Sequence, residues 1–387
     1  MDLKCANIVC DNGSGTIRIG WSGEDEPTSN FYSASAGSKP VSKYSSKLNE
    51  SPIEKGVIKD WDSIERIWFE AFHDHLQVMD GNSTVLMTEP CFNPKTNREK
   101  ITEIMFETFN VPAFYLANQA VLGAYGNGRV TGLVLDSGVD KTDAVPVYEG
   151  YSIPHAALRL DLGGNHLTDY LDKMLRERGF SLAKETVTEI KEKLCYVDVN
   201  YQCDDWRELN NDMENATTCP STSREKSFEL PDGKIIRIED EIFMCSEALF
   251  TPSLIGLDSV GIHEIVFDAM WKAKHRDYDS ERVLMDFYRN IVLSGGSSSF
   301  AGLPEKIKRK QPYDKRIVRN LGEYPVKVAK SYPDMDKKNS TWVGGSILAS
   351  LSTAEQMWIS KNEFRESGSS FVHTKCFWEI FWYFVYI

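Results

Sequence analysis

The chain has 387 residues, a formal net charge of −13, an apolar fraction of 41% and a charged fraction of 26%. This length exceeds what one hydrophobic core usually supports, so we predict two large lobes. The acidic balance argues against general binding to nucleic acids or to anionic membrane surfaces. Eight cysteines occur without a CxxC pair, and no signal peptide is recognisable, which is typical of reduced thiols in a cytoplasmic or nuclear protein.

The first predicted element is a strand–turn–strand unit near the beginning of the sequence. A β-rich run, 7–10, leads into the turn Asp11-Asn12-Gly13-Ser14-Gly15, and an extended run, 17–21, follows it. Glycines let a turn backbone approach a ligand closely, and successive turn N–H groups form concavities that bind anions. Taken alone, the pattern is explained better by an ordinary tight hairpin with an aspartate in its turn.

Two later segments have the hydrophobic spacing of amphipathic helices. In the first, apolar residues recur every three or four positions, which predicts one buried face: Ile64, Ile67, Trp68, Ala71 and Phe72. In the second, Val187, Ile190 and Leu194 form the stripe, which leaves Lys191 and Glu192 on a different face. Strands and helices alternate throughout, as in an α/β fold whose helices flank its sheets.

The strand–turn–strand unit recurs downstream. A β-rich run, 132–135, leads into the turn Asp136-Ser137-Gly138, and an extended run, 144–148, follows. Two such turns facing each other would clamp a polyphosphate from both sides. The strand-end carboxylates of Asp11 and Asp136 would then hold a hydrated Mg²⁺, which prefers one or two carboxylates together with water and phosphate oxygens.

A third element supports the same interpretation. The β-rich run 291–294 opens into Gly295, Gly296 and small residues before a predicted helix, where the backbone can approach a flat nucleotide at a helix N-terminus. We therefore predict that the two turns and this segment form one nucleotide cleft.

These residues and longer stretches outside the cleft make the chain resemble actin. The matching stretches run from the first turn to Phe377 and cover nearly the whole sequence: 11–15, 94–100, 104–110, 149–151, 158–162, 190–197, 229–233, 247–250 and 342–361. A sugar kinase or a chaperone ATPase of the same superfamily would share the cleft, but it would not share the actin-specific regions outside it.

The resemblance implies an α/β, two-lobed actin-like ATPase fold with a nucleotide cleft between the lobes and a truncated small subdomain on the first lobe. By analogy, the first lobe holds 1–126 plus 337–387 and the second holds 127–336, with 163–257 as the outer subdomain of the second lobe. The implied cofactors are ATP and Mg²⁺, with Ca²⁺ as an alternative metal.

The resemblance also assigns the nucleotide site residue by residue. Asp11, Asp136 and Gln119 take the catalytic roles, with both aspartates holding the metal through water and Gln119 positioning the attacking water. The implied cofactor-binding residues are Gly13, Ser14, Gly15, Arg18, Ser137, Gly138, Gly164, Lys191, Glu192, Gly295, Gly296 and Lys338. Without the resemblance, Lys191, Glu192 and Lys338 would be interpreted as ordinary exposed charges.

The second turn departs from the actin pattern. Actin reads Asp-Ser-Gly-Asp-Gly-Val-Thr-His where this chain has residues 136–143. Val139 replaces an aspartate, and Asp140 replaces a glycine that lies against the terminal phosphate, where a side chain restricts the backbone and adds negative charge. Lys141 could offset that charge, and Asp143 replaces the histidine that helps arrange the water. We predict retained ATP–Mg²⁺ binding with slow or altered hydrolysis, hence at most a weak ATPase that converts ATP to ADP and phosphate.

Other departures concern length. Segment 38–51 is roughly 20 residues shorter than its actin counterpart, more than a typical connecting loop, and that counterpart carries the loop that grips a neighbouring filament subunit. Segments 200–224 and 272–286 are insertions. The last ten residues, 378–387, form an apolar tail that is too short to span a bilayer as a helix, which needs about 20 residues. The tail could pack on the body, hook a partner or membrane surface, or be an artefact of a decayed reading frame.

A groove that receives helices of actin-binding proteins is implied at the base of the first lobe by Tyr125, Gly128, Leu348, Leu351, Thr353 and Met357. The apolar segment 250–257, which actin uses between filament strands, is also retained. The sequence therefore favours a divergent actin that joins actin or itself in cytoskeletal filaments of the cytoplasm, with the nucleus left open. The alternative is a non-polymerising actin-related protein that acts as a nucleotide-binding scaffold or filament cap.

Overall fold

A computed structural model of the protein describes residues 7–33, 51–78, 81–201, 225–274, 280–310, 326–329 and 336–376. Several segments singled out above lie outside these residues: 38–51 except for Ser51, 200–224 beyond Tyr201, residues 275–279 of the second insertion, and the tail 378–387. The expectations for those segments remain predictions.

Two mixed sheets form the centres of the two lobes. The strands of the first sheet are Ile8–Asn12 (β1), Thr16–Trp21 (β2), Ser29–Tyr32 (β3), Val85–Glu89 (β6), Ala113–Asn118 (β7) and Ile359–Ser360 (β15), in the spatial order β15-β7-β6-β1-β2-β3. The strands of the second are Gly132–Ser137 (β8), Thr142–Tyr148 (β9), Tyr151–Ser152 (β10), Leu158–Leu160 (β11) and Ile291–Ser294 (β14), in the order β10-β9-β8-β14 with β11 beside β9. Two small hairpins are separate: Ile53–Glu54 (β4) with Val57–Ile58 (β5), and Lys226–Glu229 (β12) with Ile235–Ile238 (β13).

Helices flank these sheets. The α-helices of the described residues are Trp61–Glu70 (α1), Lys95–Glu107 (α2), Gln119–Gly126 (α3), Gly164–Glu177 (α4), Lys184–Leu194 (α5), Glu241–Glu247 (α6), Ile262–Lys272 (α7), Ser280–Arg289 (α8), Leu303–Arg309 (α9), Ser340–Ser350 (α10), Lys361–Ser367 (α11) and Val372–Lys375 (α12). Within the described part of the chain, none of them combines the length and the apolar character needed to cross a membrane.

The repeated unit predicted from the sequence is confirmed. In the first sheet β1 pairs antiparallel with β2 and parallel with β6, and in the second β8 pairs antiparallel with β9 and parallel with β14. One backbone hydrogen bond closes each turn: Gly13 N–H donates to Thr16 O at 3.1 Å, and Gly138 N–H donates to Lys141 O at 2.9 Å. Both turns therefore lie at the carboxyl ends of parallel strands, where open α/β sheets bind ligands.

The apolar stripe that begins at Ile64 is buried in the core of the first lobe, as predicted. Its members are at most 4% exposed. Asp60 caps the N-terminus of α1 by accepting a hydrogen bond from Ser63 N–H at 3.1 Å. The α-helix ends at Glu70 and continues as a π-helical turn, Ala71–His75. Trp68 Nε1 donates to Asn12 Oδ1 at 2.9 Å, so the packing of α1 also supports the first turn.

Helices α3 and α10 cross beneath the two sheets. Gly344 of α10 lies so close to α3 that a Cβ there would overlap a backbone carbonyl of α3. Trp342 Nε1 donates to Val9 O at 3.0 Å, and the hydroxyls of Ser340 and Ser294 lie 2.9 Å apart. Because α10 bonds to a strand of each sheet, it joins the two lobes at the base of the space between their turns.

A buried histidine makes the second lobe sensitive to acid. Burial lowers the pKa of His263 from its ordinary value of 6.5 to about 4, and the ring packs against Phe250 with centroids 5.7 Å apart. The unfolded chain therefore binds this proton at a higher pH than the folded chain does. We expect the stability contributed by neutral His263 to be complete above pH 6.5 and to fall as the pH drops towards 4, by at most about 1.4 kcal/mol per pH unit.

This prediction is tested by urea unfolding at pH 7.0 and 5.0 for the natural protein and for His263→Phe. We expect the phenylalanine variant to lose less stability between the two pH values, because phenylalanine takes up no proton. Equal losses in the two proteins would contradict the prediction.

Candidate functional site

The first turn presents a buried carboxylate that three side chains contact. Asp11, at the carboxyl end of β1, is 4% exposed. Its Oδ1 accepts hydrogen bonds from Thr88 Oγ1 at 2.8 Å and from Gln119 Nε2 at 3.3 Å. Its Oδ2 lies 3.3 Å from Arg18 Nη1. The structure therefore brings together Asp11, Gln119 and Arg18, which the sequence assigned to one site.

Gln119 is held at the start of α3 by the residue before it. The Asn118 side chain caps this helix by accepting from Ala120 N–H at 2.9 Å. Gln119 Nε2 also donates to Asn12 O at 3.1 Å, so its amide bridges the end of β1 and the first turn. A side chain held in this way can orient a small nucleophile but supplies no proton-transfer chemistry of its own.

Asp136 occupies the corresponding place at the end of β8. Burial raises the pKa of Asp136 above its ordinary value, and the nearby negative charges of Asp143 and Asp11 raise it further, against the opposing charge of Lys141. Ser294, its partner on the neighbouring strand β14, also bonds to this carboxylate. A cation placed between Asp11 and Asp136 would relieve this repulsion, which is what a metal site of two carboxylates requires.

The second turn is followed by a buried network of ion pairs. Asp143 forms a salt bridge with Lys141, and Arg159 contacts both Asp143 oxygens, at 2.6 and 2.8 Å. These two cations hold the pKa of Asp143 below its ordinary value despite its burial. The sequence suggested that Lys141 could offset Asp140, but the structure pairs it with Asp143 instead. Arg159 was not assigned a role, although its register opposite Asp143 across β11 and β9 explains the contact.

Asp140 reaches out of the second lobe. Its Oδ2 accepts a hydrogen bond from the backbone N–H of Lys55, and Lys55 Nζ lies 2.6 Å from Asp161 Oδ2. Asp140 is not among the described residues with positive φ, so its backbone does not adopt the left-handed conformation that favours glycine. Its effect on the site therefore comes from its charge and its contacts rather than from backbone strain.

Close packing between the two turns explains the glycine at position 15. A Cβ at Gly15 would overlap a methyl group of Val139, and it would lie 3.1 Å from the Val139 Cβ. The tips of the two turns are therefore in direct contact through Val139. Ser14 Oγ accepts from Gly56 N–H at 3.0 Å, while Ser137 Oγ lies 2.9 Å from Thr142 Oγ1.

The glycines assigned to the base side of the site also lie together. Gly164 N–H donates to Gly138 O at 2.9 Å, and Ser297 Oγ donates to the same oxygen at 3.0 Å. Gly295 has φ +82°, and a Cβ there would lie 2.7 Å from the Ser137 carbonyl carbon. Gly295 therefore packs directly on the backbone of the second turn, which leaves no room for a side chain there.

The predicted charged contacts of the base differ in exposure. Lys191 is buried, and its Nζ donates to Gly164 O and to Thr168 Oγ1, each at 2.8 Å. Burial lowers the pKa of Lys191. Lys191 therefore lies on the buried side of α5, one turn from Val187, and packs against α4, so the prediction that it lies on a different face from the stripe is wrong. Glu192 and Lys338 are more exposed and form a pair at 3.7 Å.

Gly296 and Arg18 complete the predicted set. The nearest neighbour of Gly296 is the stem of Lys338, since a Cβ built on Gly296 would lie 3.7 Å from Lys338 Cγ. Arg18 Nε donates to Asn339 Oδ1 at 2.9 Å, which turns its guanidinium towards Asp11. Gly296 therefore lies beside the predicted base-side lysine, and Arg18 lies beside the predicted metal-site carboxylate.

The two strand-end carboxylates, Asp11 and Asp136, suit a hydrated divalent cation. Among the described residues, no group of three or more His, Cys, Asp or Glu side chains is placed to hold a metal. A cation at Asp11 and Asp136 would depend on water and phosphate oxygens for its other ligands, as Mg²⁺ commonly does.

The predicted partner groove has a mixed surface. Leu351 is 49% exposed and its neighbour Ile347 is 41% exposed, whereas Leu348 is 8% exposed and packs into the core. Of the other predicted members, Tyr125 and Met357 are half-buried, and Gly128 and Thr353 are exposed. Ile347 in α10 and Leu351 just beyond its end therefore form a short exposed apolar strip, which is the kind of surface that an amphipathic helix can cover.

A model of a known protein family matches the chain. The family model described as Actin matches residues 3–185 and 180–377. The two matched segments together extend over nearly the whole chain, including both turns, the base-side glycines and the groove.

Proposed function

The chain belongs to the actin family, and from that premise we propose that it is a divergent actin that binds ATP with Mg²⁺, or with Ca²⁺, in the cleft between its lobes. In this proposal it is a filament component of the cytoskeleton, located in the cytoplasm, with the nucleus as the alternative location. The observation that carries the proposal is the pair of facing turns, with Asp11 and Asp136 at the ends of equivalent strands.

The lobes are proposed with the boundaries expected from the sequence, 1–126 plus 337–387 and 127–336. Asp11 and Asp136 would hold the hydrated cation, whose chemistry is to neutralise phosphate charge and polarise the bond that breaks. Gln119 would orient the attacking water from its place beside Asp11. The remaining nucleotide contacts are those that the sequence assigned, from Gly13 to Lys338.

Slow or altered hydrolysis follows from the chemistry of the second turn. The family histidine at position 143 is replaced by an aspartate whose two oxygens are already occupied by Lys141 and Arg159. A carboxylate held in two salt bridges with a lowered pKa is a poor proton acceptor. We propose that this replacement weakens hydrolysis more than nucleotide binding.

The second candidate is a non-polymerising actin-related protein that acts as a nucleotide-binding scaffold or filament cap. The observation that favours it is the shortened segment 38–51, because the counterpart of that segment grips the next filament subunit. The exposed strip at Ile347 and Leu351 would serve either function by binding helices of partner proteins.

Sedimentation with ATP and Mg²⁺, alone and mixed with ordinary actin, separates these functions. We expect the protein to pellet with actin, and acid extraction of the purified protein to release adenine nucleotide. Pelleting alone would show that the shortened segment is dispensable for filaments. Remaining in the supernatant in both samples while carrying nucleotide would favour the scaffold, and the lack of nucleotide under every condition would reject both.

A further inference from the structure

The exposed apolar strip formed by Ile347 and Leu351 has an apolar neighbour on the second lobe. Tyr125 lies on α3, the helix that α10 crosses, and its hydroxyl donates to Gly150 O at 3.5 Å. The residue after Gly150 is Tyr151, whose side chain is also exposed. The apolar surface at the base of the first lobe therefore continues onto β10 of the second lobe.

The last described residue is held firmly in the first lobe. Cys376 is buried, and its Sγ accepts a hydrogen bond from Leu116 N–H at 3.3 Å. Arg98 Nη2 donates to Cys376 O at 2.7 Å. The point from which the chain continues towards the apolar tail 378–387 is therefore fixed.

This anchored point lies close to the groove. Tyr115, the residue before Leu116, packs edge-on against Trp358, with ring centroids 6.3 Å apart, and Trp358 directly follows the groove member Met357. Burial raises the pKa of Tyr115, and the nearby Cys376 and Tyr125 raise it further. Tyr115 therefore lies between the anchored Cys376 and two residues of the groove.

The segment that follows Cys376 has the composition of a buried chain. Residues 377–387 carry one charged side chain, Glu379, among aromatic and branched apolar residues. When fully extended, this segment reaches about 36 Å from Cys376, much further than the ring contact that separates Cys376 from the groove. An apolar segment with little charge promotes aggregation when it is left in water, and so does an exposed apolar strip. Covering one with the other would remove both surfaces from water.

We propose that the apolar tail 378–387 folds back onto the strip formed by Ile347 and Leu351 and occupies the groove of its own chain. An amphipathic helix of a partner protein then binds only by displacing the tail, so the tail lowers the apparent affinity for such partners. The inference rests on the groove that the proposed function assigns to partner helices, and it is independent of nucleotide binding.

The contact is tested by photo-crosslinking of the full-length protein. The crosslinking amino acid p-benzoyl-L-phenylalanine is placed at Phe381 in one preparation and at Trp382 in another, and the irradiated products are separated by size and mapped by peptide mass spectrometry. We expect crosslinks within one chain to peptides that carry residues 347–357. Crosslinks that join two chains would identify a second copy as the occupant and overturn the proposal. Crosslinks confined to other surfaces, or none at either position, would also overturn it.

The dye bis-ANS, which fluoresces on exposed apolar surface, tests whether the groove is covered. The tail variant combines Phe381→Ser, Trp382→Ser and Phe384→Ser in the full-length chain. If the tail covers the groove, weakening its apolar contacts exposes the strip, and we expect dye fluorescence to rise by at least about twofold. A tail that is free in solution predicts a decrease, because the substitutions remove apolar surface. Unchanged or lower fluorescence would therefore overturn the proposal.

A matched pair of isoleucines locates the dye. Adding Ile347→Ser to the tail variant should cancel the rise in fluorescence. Adding Ile235→Ser should leave the rise intact, because Ile235 is an exposed isoleucine on the separate hairpin of β12 and β13. The same result for both additions would overturn the assignment of the groove. Urea unfolding shows whether each variant is folded, and acid extraction of the same samples measures bound adenine nucleotide, so failure of the proposed ATP binding is detected separately.

Discussion

Replacing Lys306 with methionine is expected to lower the free energy of unfolding by about 3–5 kcal/mol. Lys306 and Glu247 form a salt bridge in which each side chain is only 1% exposed. Lys306 Nζ also donates to the carbonyl oxygens of Asp198 and Tyr201, each at 3.1 Å. The substitution would leave the Glu247 carboxylate buried without its cation and release the backbone at 198–201.

Burial raises the pKa of Glu247 and lowers that of Lys306, so each charge depends on the other. We therefore expect Lys306→Met combined with Glu247→Gln to recover much of the loss. Lys308 lies two residues further along α9 and is exposed, so Lys308→Met should change the free energy of unfolding by less than about 0.5 kcal/mol. Urea unfolding followed by tryptophan fluorescence compares the four proteins, and a loss from Lys306→Met no larger than that from Lys308→Met would refute the assignment.

Replacing Asp136 with asparagine is expected to change stability and ligand affinity in opposite directions. The raised pKa of Asp136 means that the folded state holds its proton to a higher pH than the unfolded chain does. Its contribution to stability is therefore complete below pH 3.8 and is lost as the pH rises through the raised value. Asparagine removes this penalty, so the nucleotide-free variant should unfold at a higher urea concentration at pH 7.

The same substitution should weaken Mg²⁺-dependent nucleotide binding by about 10–100-fold, the range found when a carboxylate that orients a metal through hydrogen bonds is lost. Affinity should also lose its pH dependence, since the proton on Asp136 no longer competes with the cation. Binding is measured in Mg²⁺ and in EDTA, with Asp161→Asn as the exposed control. A variant that loses stability, or that keeps full Mg²⁺-dependent affinity, would show that Asp136 has a purely structural role.

The sequence alone predicted the parts of this protein that depend on local pattern. The two turns were predicted because aspartate and glycine follow β-rich runs, and both are closed by a hydrogen bond within four residues. The stripe beginning at Ile64 was predicted because helical spacing repeats along the chain, and its residues are buried. Resemblance to actin then placed Gln119 beside Asp11, which pattern alone does not predict for residues 108 positions apart.

Tertiary structure decided which charged side chains form ion pairs. Lys141 pairs with Asp143 because the alternation of side chains along a strand and the register of β11 place Lys141 and Arg159 around that carboxylate. Asp140 instead accepts a hydrogen bond from a turn 85 residues earlier in the chain. Lys306 of α9 and Glu247 at the end of α6 lie 59 residues apart in the sequence and form a direct ion pair in the structure. Hydrophobic periodicity determines which face of an element is buried. The partner of a buried charged side chain depends instead on which residues the neighbouring elements place beside it. The sequence by itself therefore determined the repeated turns and the family, and only the packing of elements distant in sequence decided how the buried charges are paired.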